Sequence, residues 1–141
     1  MKTIIASISI LFLLISCTKT SEKEKEFDAL MQEVITIHDD VMPKMGTINE
    51  LVTKLEAKKD TTTSGQAYGE AQVELKEAHD LMMEWMADFS DKFPHGEEVT
   101  SDDMELFESK FKQLQEEKVE VVMMQDQVNT SISNAQALLK N

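Results

Sequence analysis

The sequence contains no arginine; all fourteen of its basic side chains are lysine, spread over 141 residues. Neutralising phosphates takes a basic surface, and bidentate reading of phosphates or guanines favours the guanidinium fork. With 27 Asp and Glu the formal charge is −13, which excludes a nucleic-acid partner. Cysteine is reduced to one residue, Cys17, so no internal disulfide can form. Once that sulfur is in a thioether, no thiol is left for thiolate catalysis or a cysteine metal site. Two Pro and four Gly leave few breaks. Apolar residues recur at the 3.6-residue period, not in alternation, which predicts helices. There is no Gly-x-Ser-x-Gly, no glycine-rich phosphate loop and no His-Glu-x-x-His. The Glu-x-x-His of di-iron bundles is missing too, since the nearest spacings are Glu33 to His38 and Glu77 to His79. No catalytic set is recognisable, and the chain is not expected to be an enzyme.

What is present begins with an address. Lys2 precedes an apolar run from Ile4 to Ile15, relieved by Ala6, Ser7 and Ser9. That run falls well short of the roughly 20 residues that a spanning helix needs, and it has the layout of a secretory signal. Leu14-Ile15-Ser16-Cys17 closes it in the form of a lipobox. The expected organisation is a signal peptide over 1–16, lipidation at Cys17, a tether over 17–26 and a helical domain over 27–141. Each buried methylene adds about 0.8 kcal/mol and a single chain is marginal. A lipobox cysteine resembles those that carry more than one acyl chain, so stable anchoring follows without a transmembrane helix. Removing the signal takes away Lys2 and leaves 125 residues with a formal charge of −14. The stretch Thr18 to Glu26 (TKTSEKEKE) resembles the export tags of flavobacterial surface lipoproteins. The expected location is therefore the cell envelope, at the outer membrane, facing the periplasm or the surface.

Three long helices are predicted. The first runs from about Ser21 to Lys58, with Ser21 and Glu24 spaced as a capping box. Phe27, Val34, Val41, Ile48 and Leu55 form a seven-residue line, widened by Leu30, Ile37 and Leu51. Pro43 lacks the amide hydrogen that would bond to Asp39, which predicts a kink or break there, eased by Gly46. After a polar connection (59–65), the second helix spans about Gln66 to Phe93. It carries Tyr68, Leu75, Met82 and Phe89, flanked by Ala71, Ala78 and Trp85, and stops at Pro94 and Gly96. Thr100 or Ser101 is expected to cap the third helix, with Asp102, Asp103 and Glu105 suited to its dipole. Its line is Phe107, Leu114, Val121, Val128 and Ala135, flanked by Met104, Phe111, Met124, Ile132 and Leu138. Lys118 interrupts the pattern between Gln115 and Glu120, marking a local opening or an interface. The fold class is all-α, and the simplest architecture is an elongated antiparallel three-helix bundle, up-down-up.

One pattern repeats, H-D-x-x-M-x-x-M, at His38 to Met45 and again at His79 to Met86. Positions i, i+4 and i+7 of a helix share a narrow face, so each copy lines up one imidazole and two thioethers. A hairpin centred near residue 62 puts His38 opposite Met86, Met45 opposite His79 and Met42 near Met83. Imidazole with thioether suits Cu(I), and by similar softness Ag(I). His38, Met42, Met45, His79, Met83 and Met86 are thus candidate ligands. The plainer reading is packing, because Met is a flexible filler of helical cores. Asp39-Asp40 and Asp102-Asp103 belong to a solvated face and a helix start, His95 to a loop, and Trp85 to packing.

The lipobox together with I-H-D-D-V-M-P-K-M (Ile37 to Met45) and M-M-E-W-M-A-D-F (Met82 to Phe89) resembles a group of small flavobacterial lipoproteins automatically labelled viral A-type inclusion protein. The resemblance covers the signal and the first two helices best. It implies a helical, exported, lipid-attached product and adds no functional residue beyond Cys17. The expected function is a lipid-anchored envelope module, structural or protein-interacting, held at the membrane by its anchor, with an envelope protein or further copies of itself as partner and no cofactor. The alternative is a metal-handling lipoprotein that binds Cu(I) or Ag(I) through the His/Met repeat.

Overall fold

A computed structural model describes residues 22–140. The expected signal peptide, Cys17 and Ser21 of the capping box lie outside the described residues. Those described are helical, in the order α1 (Glu22–Val41), α2 (Lys44–Glu56), α3 (Thr63–Lys92) and α4 (Met104–Lys140), and contain no strand. None of these helices is long and apolar enough to cross a membrane.

The expected break falls at Pro43, and it is mild. Met42 still donates its N–H to the His38 carbonyl at 2.9 Å, and Met45 donates to the Met42 carbonyl at 3.2 Å. Pro43 keeps helical angles, φ −61° and ψ −23°, so α2 resumes at once. Phe27, Val34, Val41, Ile48 and Leu55 are all buried, so the core line passes through the break without changing face.

Local polar chemistry moves two helix starts away from their expected positions. α3 begins at Thr63, ahead of the expected Gln66, because the Thr62 hydroxyl accepts from the Gly65 N–H at 3.1 Å. The Asp60 carboxylate in turn accepts from the Thr62 N–H at 2.8 Å. Gly65 sits so close to this turn that a Cβ there would stand 2.6 Å from the Asp60 carbonyl oxygen. At α4 neither Thr100 nor Ser101 is the cap: the Asp103 carboxylate accepts from the Leu106 N–H at 3.1 Å. Ser101 instead donates its backbone N–H to the Glu24 carboxylate at 2.6 Å, which ties the loop to the start of α1. Met104, expected on the flank of the core, is 45% exposed.

Three helical stretches pack together, the broken α1–α2 arm, α3 and α4. Leu75, Ala78, Met82 and Trp85 of α3 meet Phe107, Leu114, Val121, Met124 and Val128 of α4 and the line of α1 and α2 in one buried core. Burying side chains of this kind contributes about 1.5–3 kcal/mol each. α4 lies against α1, α2 and α3, and α2 lies against α3, but no Cα of α1 comes within 8 Å of one in α3. Rings span that gap. Phe27 meets Phe93 at 6.3 Å between centroids, and His38 meets Trp85 at 5.6 Å. Trp85 stacks on Phe89 at 4.9 Å, Phe89 meets Phe93 just past the end of α3 in a tilted contact at 5.2 Å, and Phe27 continues to Phe107 and Phe111 of α4 at 5.8 and 6.1 Å. The end nearest the N-terminus of α1 is thus held by aromatic rings. The opposite end, around Leu51, Leu55, Ala71 and Ala135, is aliphatic apart from the half-buried Tyr68.

Polar links outside the core keep a regular register. Lys23 meets Glu108 and Lys44 donates to Asn129, each 85 positions away, and Lys118 pairs with Glu33 at the same separation. Between α3 and α4, partners descend as the residue number rises: Glu74 meets Asn134, and Lys92 meets Glu117.

Candidate functional site

The repeated His-Asp-x-x-Met-x-x-Met segments lie along the seam between the broken arm and α3. The His38–Trp85 ring contact falls within one residue of the facing position expected from the hairpin. The Gln72 amide, which donates to the Val52 carbonyl at 3.1 Å, marks the same register further along. One contact, His38 with Trp85, joins the two copies, and their members have different surroundings. Met45 and Met86 pack against the core. Met42 and Met83 are 41% and 49% exposed. The His38 side chain is mostly covered and that of His79 is about one third exposed.

Each imidazole is held by the aspartate that follows it. His38 Nδ1 lies 3.0 Å from Asp39 Oδ1, and His79 Nδ1 lies 3.4 Å from Asp80 Oδ1. A carboxylate at Nδ1 accepts a hydrogen bond from that nitrogen, and in a neutral ring so held the lone pair falls on Nε2. His38 Nε2 is buried and has no hydrogen-bond partner, and neither has the buried Trp85 Nε1 beside it. The two ring centroids are 5.6 Å apart with the planes tilted by 30°, and neither nitrogen finds a hydrogen-bond partner there. A buried polar atom without a partner costs about 1–3 kcal/mol. The His-Asp dipeptide was visible in the sequence, but the role of Asp39 and Asp80 was not.

Among the described residues no three His, Cys, Asp or Glu side chains group as a metal-ligand set. The Asp39-Asp40 pair divides, with Asp39 on the imidazole, and His95 sits exposed in the turn before Gly96.

A second polar feature went unread in the sequence. Glu117 is fully buried, and its Oε1 accepts from Lys92 Nζ at 2.6 Å while Oε2 has no partner. Glu117 holds the Lys92 ammonium above its usual pKa, through the hydrogen bond first and charge attraction after it. Lys110 donates nearby to the Lys92 carbonyl at 2.6 Å and to Glu97 at 2.8 Å. The stretch around Lys118 is therefore a polar layer within a continuous α4. Glu117, Met124 and Ser131, all buried and seven residues apart, form a second core line of which apolar patterning finds Met124 alone.

A cleft of about 820 Å³ opens between the start of α1 and the loop before α4, lined by Glu24, Phe27, Asp28, Met31, Glu98 and Val99 among others. Its carboxylates surround an apolar floor and carry no recognisable chemistry. Compared with family models, curated proteins and solved structures, the chain finds no match.

Proposed function

We propose that this chain is a lipid-anchored helical module of the cell envelope, tethered through Cys17 and acting as a structural or protein-interaction element, one of the small lipoproteins that it resembles. The reading takes the three helical stretches as an elongated up-down-up bundle. In its favour, partners at a fixed separation of 85 are what two helices running the same way produce, and descending partners are what opposed helices produce. The observation that carries the interaction role is on α4. Val119 and Met123, one turn apart on its outward side, are 60% and 65% exposed, and Leu106 is 50% exposed. Apolar side chains kept in water on a helix whose core face is already filled suit a contact surface.

Two measurements test this reading. Mass spectrometry of the mature N-terminus is expected to find an acylated Cys17, and Cys17→Ser is expected to release the chain from the membrane fraction. A photo-crosslinking residue at Val119 is expected to yield adducts in intact envelopes that the same residue at the exposed Ser133 does not. Equal labelling from both positions rules out α4 as the contact surface, and membrane retention of the Cys17→Ser chain rules out the anchor.

A further inference from the structure

We infer that the seam at the α1–α2 break is a binding site for one soft monovalent cation, Cu(I) or Ag(I), with His38 Nε2 as nitrogen ligand and the thioethers of Met42, Met83 and Met86 as sulfur ligands. Four independent features converge on it. His38 presents a buried, unpartnered ring nitrogen, and Asp39 at Nδ1 keeps the lone pair on that nitrogen, the support that histidine ligands ordinarily receive. Met42 stays one helical turn beyond His38 because its N–H still bonds to the His38 carbonyl at 2.9 Å. Met86 follows Trp85, whose ring faces His38, and Met83 lies one turn earlier on α3. Finally, α1 and α3 stand further apart than any other pair of helices that face each other, so their side chains and not their backbones meet there.

The chemistry selects the ion. Thioether and neutral imidazole are soft or borderline donors that favour Cu(I), whereas hard cations seek carboxylates. Packing alone accounts for Met45, which lies against the core and is not among the ligands. Met42 and Met83 are instead 41% and 49% exposed, open to an ion from solvent. Trp85 covers the His38 ring, with 5.6 Å between the two centroids. The second copy is weaker: the His79 ring is more open, its Asp80 is further off, and α2 lies close against α3 there. A single site at His38 follows, with His79 outside it.

Trp85 is the only tryptophan in the chain and reports directly on the site. The full chain carrying Cys17→Ser, so that no thiol competes, is titrated with Ag(I), and with Cu(I) under anaerobic conditions, while indole fluorescence is followed. Saturable quenching at one equivalent is expected. Met42→Leu with Met83→Leu keeps volume and apolar character, so it is expected to leave the far-UV circular dichroism unchanged while weakening binding by more than about tenfold, on the scale of losing a ligand's support. His38→Ala is expected to abolish the quenching, and His79→Ala to bind as the parent does. No saturable change in the parent, or undiminished affinity in the double leucine variant, overturns the site. Equal loss in His79→Ala and His38→Ala overturns its placement.

Discussion

Lys92 reaches across from the last turn of α3 to Glu117 of α4, 2.6 Å away, and joins a part-exposed ammonium to a carboxylate that has no contact with water. The pair lies next to the aromatic end of the core, where one line of α4 continues through Lys110, Glu117 and Met124. Removing the part-exposed cation and removing the buried carboxylate are different operations. Lys92→Ala strands a buried carboxylate and is expected to destabilise by about 2 kcal/mol, less than the roughly 3–5 of a fully desolvated pair because Lys92 keeps part of its hydration. Glu117→Met removes the buried charge and supplies apolar volume on a core line, and is expected to be neutral or stabilising by about 1 kcal/mol. Urea unfolding of both variants checks the opposite signs, and a large loss in Glu117→Met refutes the account.

The same pair sets an alkaline limit. Lys92 titrates above its ordinary value of 10.5 in the folded chain, held there by Glu117. A raised folded-state pKa contributes stability that is fully present below the unfolded value and is lost as pH rises through the folded one. The contribution should therefore hold at pH 9 and fade above about pH 10.5. Other lysines also discharge there, so the comparison is differential. The parent is expected to lose more stability between about pH 9 and pH 11.5 than Glu117→Met does, measured by thermal melts at each pH. Equal losses mean that the pair contributes nothing at neutral pH.

Most of the core was legible because a seven-residue line needs no partner to be seen: Phe27 to Leu55 and Phe107 to Ala135 are buried throughout. The break at Pro43 was legible for the same local reason, a missing amide hydrogen. Glu117 was not, because a charged residue on a core line looks like an interruption until Lys92 is placed opposite it. The helix starts shifted because polar runs such as Thr61-Thr62-Thr63 hold several candidate caps, and only the fold decides which oxygen meets which N–H. Of the candidate site, the residue types could be read, and the His38–Trp85 contact falls one residue from the expected His38–Met86 pairing. The orphaned ring nitrogen of His38 and the gap that rings fill between α1 and α3 depend on side-chain size in three dimensions and left no periodic trace.

The start of α4 offers a direct contrast. Asp103 accepts from the Leu106 N–H, and its charge also meets the positive end of the helix dipole. Asp103→Ala is expected to cost about 1 kcal/mol, the usual loss for an N-cap. Ser101→Ala should cost almost nothing, since Ser101 contributes its backbone N–H to Glu24 and alanine keeps that group. Chemical denaturation of the two variants decides it, and a larger loss at Ser101 restores the cap to the residue that sequence patterning favoured.

Two glycines should respond to the same substitution with opposite signs. Gly46 lies in the first turn of α2 with nothing within 4 Å of where a Cβ would stand. Gly46→Ala removes backbone freedom from the unfolded chain at no steric cost and is expected to stabilise by about 0.4–1 kcal/mol. Gly65 also has helical geometry, yet the Asp60 backbone occupies the space, with its nitrogen at 2.5 Å and its carbonyl oxygen at 2.6 Å from the added carbon. Backbone cannot swing aside as a flexible side chain can, so the turn from Asp60 to Thr62 must open. Gly65→Ala is expected to cost about 1–3 kcal/mol, the range for overpacking. In thermal melts, 1 kcal/mol moves the midpoint by about 4 °C in a domain of this size. The two variants should therefore fall on either side of the parent. A Gly65→Ala melt at or above the parent means that the Asp60 turn is not what fixes the start of α3.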